Sequence, residues 1–123
     1  MKIKTFEDLI VWQKARELTD YIYKLTAKFP NGEKYNLIDQ MRRAVVSIAA
    51  NIAEGFSRYH LKETIMFYRN VRGSISELKS HLYLSSDRSY IASKDLELSL
   101  LKLDEVGKLL NGLIKSTNKF RQN

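Results

Sequence analysis

Apolar residues recur at intervals of three and four through four separate stretches of the chain. That periodicity constrains the fold more than any other feature of the sequence. Val11, Ala15, Leu18, Ile22, Leu25 and Phe29 make the first stripe. Leu37, Met41, Ala44, Val45, Ile48 and Ile52 make the second, and Phe67, Tyr68, Val71, Ile75, Leu78 and Leu82 the third. The fourth comprises Leu96, Leu100, Leu103, Val106, Leu110, Leu113 and Ile114. Punctuation falls between them. Thr5 with Asp8 reads as a variant capping box, Asn36 and Ser93 as N-caps, and Gly55 as a helix end. Pro30-Asn31-Gly32 stops the first segment. The spacing predicts helices over about 6–29, 36–56, 61–86 and 93–118, each roughly 30–39 Å long at 1.5 Å per residue. A single proline in 123 residues fits uninterrupted helices. Short connections make sequential helices antiparallel. The expectation is an all-α, up-down-up-down four-helix bundle forming one domain over residues 1–123.

Composition narrows the class further. There is no cysteine, so disulfides and thiolate metal sites are excluded. The opening residues carry Glu7 and Asp8 before any apolar run, unlike a signal peptide. No apolar run approaches the roughly 18 residues that cross a bilayer. A soluble, cytoplasmic protein is expected. The formal charge is +7, which favours polyanionic partners. The excess is spread along the chain, so any basic patch must be assembled by folding.

Catalytic equipment is missing from the pattern. The two histidines, His60 and His81, are far apart, and no Glu-x-x-His pair of the di-iron bundle type occurs. Neither a phosphate-binding glycine loop nor a nucleophile elbow is present. No cofactor, metal site or enzymatic activity is expected. Gln40, Ser47, Asn51 and Glu54 recur at helical spacing, and Ser74 and Glu77 are candidates to face them across a helix pair. Such half-buried polar groups suit an interhelical hydrogen-bond network.

Two kinds of surface remain. Lys62, Arg69, Arg72 and Lys79 share an arc of about 100° on the third segment, taking 100° per residue, and Arg42, Arg43 and Arg58 lie at or beyond the ends of the second. These seven are candidates for neutralising phosphates. By contrast, residues 44–53 carry no charge at all. Val46, Ala49, Ala50 and Ala53 point away from the second apolar stripe, where a solvated helix would carry Lys or Glu. Leu98, Leu101 and Leu109 lie off the fourth stripe. These seven positions suggest a subunit interface.

The residues between these features carry a resemblance. Phe6-Glu7-Asp8-Leu9 with Val11-Trp12-Gln13-Lys14-Ala15 begins it. Phe29-Pro30, Glu33-Lys34-Tyr35-Asn36-Leu37 and Gln40-Met41-Arg42-Arg43-Ala44 continue it. Ser47-Ile48, Asn51-Ile52-Ala53-Glu54-Gly55, Gly73-Ser74 and Glu77-Leu78 complete it. The ordered series resembles the four-helix-bundle proteins encoded within intervening sequences of bacterial 23S ribosomal RNA genes, over nearly the whole chain. It is similar, more distantly, to the accessory variability protein of diversity-generating retroelements. The resemblance implies a four-helix bundle and a homopentamer without an established enzymatic activity. It also implies a role on RNA or DNA, or alternatively as a scaffold or accessory partner of a reverse transcriptase.

Overall fold

The computed structural model describes residues 2–122, with side chains described as far as Lys119. Four helices make up the fold: α1 (Ile10–Thr26), α2 (Leu37–Phe56), α3 (Leu61–Asp87) and α4 (Ser93–Gln122), with no strand among the described residues. They pack in cyclic order. α2 lies between α1 and α3, and α4 closes the bundle between α3 and α1. Each stripe read from the sequence turns inward except at Phe67, which is half-buried outside the core beneath Arg58. Ala15, Ile22, Met41, Val45, Ile48, Ile52, Val71, Leu78, Leu82 and Leu110 have no exposed surface.

The first helix is shorter than its periodicity suggests. Phe6–Asp8 forms a separate 3-10 turn, and Leu9 is extended (φ −73°, ψ 125°) before α1 begins. The carboxylate of Asp8 accepts the backbone N–H groups of Lys4 (3.0 Å) and Thr5 (3.1 Å). Those two bonds hold the Asp8 carboxyl below the usual carboxylate range. The Phe6 ring meets Trp12 edge-on at 5.0 Å, and Leu9 is buried. The local turn thus competes with the helix and wins over three residues. At the other end α1 stops at Thr26, and Phe29 reaches the core from the following turn, against the Tyr90 ring at 5.4 Å.

α2 and α3 come close together at Gly55. A methyl group on Gly55 would lie 2.9 Å from Cβ of Phe67 and 2.9 Å from Cε1 of Tyr68. The carbonyl of Gly55 accepts the Thr64 hydroxyl at 2.8 Å. Only glycine lets α2 end there in contact with the first turns of α3.

A long-range bond helps to tie the bundle end opposite the termini. Tyr90, after α3, donates its hydroxyl to the Glu33 carboxylate at 2.7 Å, and that bond raises the phenol above its ordinary range. The α3–α4 turn closes with the N–H of Tyr90 on the carbonyl of Ser85 (3.0 Å) and that of Ser89 on Ser86 (2.9 Å). Ser89 has φ 62°, the left-handed position that glycine prefers after a helix. Ser89→Gly is expected to stabilise the fold by about 1 kcal/mol, read as a higher urea midpoint. A lower midpoint would mean that the serine side chain matters more than the backbone strain.

Candidate nucleic-acid interface and assembly faces

The seven candidate cations reach three different situations. Arg42 is spent within the fold. Its guanidinium donates to the Thr26 hydroxyl (3.0 Å) and the Tyr23 carbonyl (3.2 Å), and stacks over the Tyr23 ring at 4.5 Å. It caps the C-terminus of α1, where exposed carbonyls and the helix dipole favour a cation. Arg43 pairs with Asp39 at 3.1 Å. Arg58 pairs with Glu54 at 3.0 Å and lies over the Phe67 ring at 4.7 Å. Exposed pairs of this kind are weak and open readily to another anion. Lys62, Arg69, Arg72 and Lys79 line the exposed side of α3. Arg72 reaches across to α4 and donates twice to Asn111 Oδ1, at 2.9 and 3.3 Å. Lys79 faces an open groove of about 420 Å³ between α3 and α4, floored by Ile75, Leu100 and Leu103 with Glu97 and Asp104 on the far wall.

Sequence reasoning missed the α4 side of this surface. Lys108, Asn111 and Lys115 follow one another at helical spacing, and Asn111 touches Arg72, so that line runs beside α3. Lys119 follows one turn later and is exposed. The signal was present: no acidic residue occurs after Glu105. Lys108 has a carboxylate neighbour, Asp104 at 3.4 Å. The termini-proximal half of the α3–α4 seam therefore gathers Lys62, Arg69, Arg72, Lys115 and Lys119.

Of the six residues proposed as a polar network, three come together. Ser74 on α3 donates to the Ser47 hydroxyl at 3.0 Å, and Asn51 donates to the same hydroxyl at 2.9 Å and to the Ser47 carbonyl at 2.8 Å. Gln40 is exposed and stays outside it. Glu54 turns to Arg58 instead. Glu77 turns to His81, 3.5 Å from its Nε2. For each glutamate, the arginine or histidine one turn away on the same helix is an easier partner than a polar side chain across the interface. Among the described residues no group of three or more metal-ligating side chains occurs. No described helix is long and apolar enough to cross a membrane.

The uncharged positions of α2 form the floor of an open groove. Val46, Ala49, Ala50 and Ala53 meet Phe6, Trp12, Arg16, Thr19, Asp20 and Tyr23 around a volume of about 620 Å³ between α1 and α2. Val46 is 44% exposed, high for a branched apolar side chain in the middle of a helix. On α4, Leu98 and Leu101 are 42% and 64% exposed. Leu109 differs from expectation. It is half-buried against the core, on the flank of α4 where Lys102 and Glu105 meet Tyr21 and Lys14 of α1.

Comparison with known proteins agrees with this architecture. None of the curated proteins matches the chain. Among solved structures, the chain is similar to a protein of unknown function from the S23 ribosomal protein family of Bacteroides thetaiotaomicron VPI-5482. The two share 25% identity with a TM-score of 0.77, over 86% of this chain and 99% of the other. The pattern of the 23S rRNA-intervening sequence proteins matches residues 7–112, which takes in all of α1, α2 and α3 and most of α4. By that match the chain belongs to the 23S rRNA-intervening sequence protein family.

Proposed function

We propose that the protein is a non-enzymatic homo-oligomer, a pentamer, that binds nucleic acid, RNA foremost, through the basic surface of α3. The observation that carries this reading is the run from Met66 to Ser76. It contains Arg69 and Arg72 and no acidic residue; Arg69 is exposed, and Arg72 meets the neutral Asn111 of α4. Phosphates would meet unopposed guanidinium groups there.

Assembly is supported by the placement of the apolar faces. The α1–α2 groove and the exposed Leu98 and Leu101 of α4 are two separate apolar surfaces. Two complementary faces that differ give a head-to-tail contact, which closes into a ring when the rotation permits. A ring also multiplies the +7 charge of each chain.

The test is a titration of RNA with rising salt. Affinity is expected to fall steeply and linearly in log–log form. Arg69→Glu combined with Arg72→Glu should weaken binding by about tenfold or more, at roughly 1 kcal/mol per lost phosphate contact, with an unchanged circular dichroism spectrum. Absent binding at low salt, or an affinity indifferent to salt, would sink the reading.

A further inference from the structure

Three features mark this side of the molecule. The first is the acid-free end of α4, where Lys115 and Lys119 extend the cationic line beside Arg69 and Arg72. The second is a pair of glycines. Gly73 follows Arg72, and Gly112 follows Asn111, the two residues that touch across the seam. Both glycines lie inside helices and are exposed, and a methyl group at either would meet nothing within 4 Å. Glycine weakens a helix interior relative to alanine, and no neighbouring side chain requires the missing Cβ at either position. Bare backbone beside a line of cations is what a close-lying chain of phosphates needs. The third is Tyr59, in the α2–α3 turn one turn ahead of Lys62. It is 91% exposed and stands edge-to-face with His60 at 5.0 Å. An aromatic ring held this far out of the core offers its faces to solvent, and a nucleobase stacks on such a face.

We propose that the termini-proximal half of the α3–α4 seam is a site for single-stranded RNA. Phosphates lie along Arg69, Arg72, Lys115 and Lys119. The sugar–phosphate chain passes over Gly73 and Gly112. An unpaired base stacks on Tyr59. The assignment rests on the nucleic-acid-binding reading above and adds to it the strandedness of the ligand and the residues of α4. Single strands are favoured because a duplex keeps its base faces inside the stack, out of reach of Tyr59.

Fluorescence anisotropy with a labelled single-stranded RNA and with the same sequence as a duplex tests the site. The full chain is expected to bind the single strand more tightly. Lys115→Glu with Lys119→Glu should lower that affinity about tenfold or more and reduce the salt slope by roughly 1.4, at about 0.7 per phosphate contact on a single strand. Tyr59→Ala should lower single-strand affinity about fivefold, the lower end of base–aromatic stacking, and leave duplex affinity unchanged. Gly73→Ala with Gly112→Ala should raise the melting temperature while weakening single-strand binding. Binding of the single strand that is indifferent to Lys115→Glu and Lys119→Glu would overturn this site and leave the broader reading standing. So would a duplex bound equally well, with Tyr59→Ala acting on both probes alike. No binding of either probe at low salt would overturn both.

Discussion

A chain carrying Val46→Glu and Ala50→Glu is expected to fold normally and run as a monomer. Both positions face solvent in the isolated bundle, so two glutamates there cost the fold little. In an assembly they would sit on the floor of the α1–α2 groove, between Trp12 and Tyr23, in apolar surroundings. Burying an unpaired carboxylate costs several kcal/mol per site, enough to dissolve a contact of moderate size. Light scattering at low micromolar concentration should give the mass of one chain for the variant and a multiple of it for the parent. RNA affinity should then fall by about a hundredfold or more, because linked sites on one ring gain roughly 10²–10⁴ from acting together. A parent that scatters as a monomer would show that the groove serves something other than a second copy.

The largest loss of stability should follow Gly55→Leu. The first added carbon already lies 2.9 Å from two residues of α3, and Tyr68 is only 1% exposed, so its ring has nowhere to move. Ordinary overpacking costs about 1–3 kcal/mol. Here three further carbons follow the first, and α2 must separate from α3. A loss of about 3 kcal/mol or more is expected, a large share of the roughly 5–15 kcal/mol that holds a domain of this size. Gly55→Ala is the informative control. The clash opposes a gain of about 1 kcal/mol in helix propensity, so the net loss should be near 1 kcal/mol. Urea unfolding measures both. An unchanged midpoint for the leucine variant would mean that the two helices part easily at this end.

The apolar stripes were legible because each one fits a single period over about four or more turns. What stayed hidden depended on partners distant in sequence or on polar atoms satisfied at home. Thr26, Thr64, Ser85 and Ser99 are buried, although serine and threonine read as surface residues. The hydroxyls of Thr26, Ser85 and Ser99 donate to the carbonyl four residues earlier, at 2.6–2.8 Å, and Thr64 reaches Gly55. A bonded hydroxyl enters a core at little penalty. Arg42 reads as a free cation until the fold brings the end of α1 against it, 16 residues back in sequence. Lys115 and Lys119 were passed over for the opposite reason. Each is an ordinary surface lysine, and only the Arg72–Asn111 contact places them beside α3.

Featureless apolar stripes could slide past one another by a turn with little change in buried area. Between α2 and α3 two contacts forbid it. Ser47 meets Ser74, and eight residues further along, about 12 Å, Gly55 meets Phe67 and Tyr68. Both contacts specify the same antiparallel alignment. A slip of one turn would set Ser47 against an apolar side chain and bring Tyr68 against a residue that has a Cβ. The α2–α3 hairpin thus acts as the ruler of the bundle, and α1 and α4 dock onto an alignment already decided.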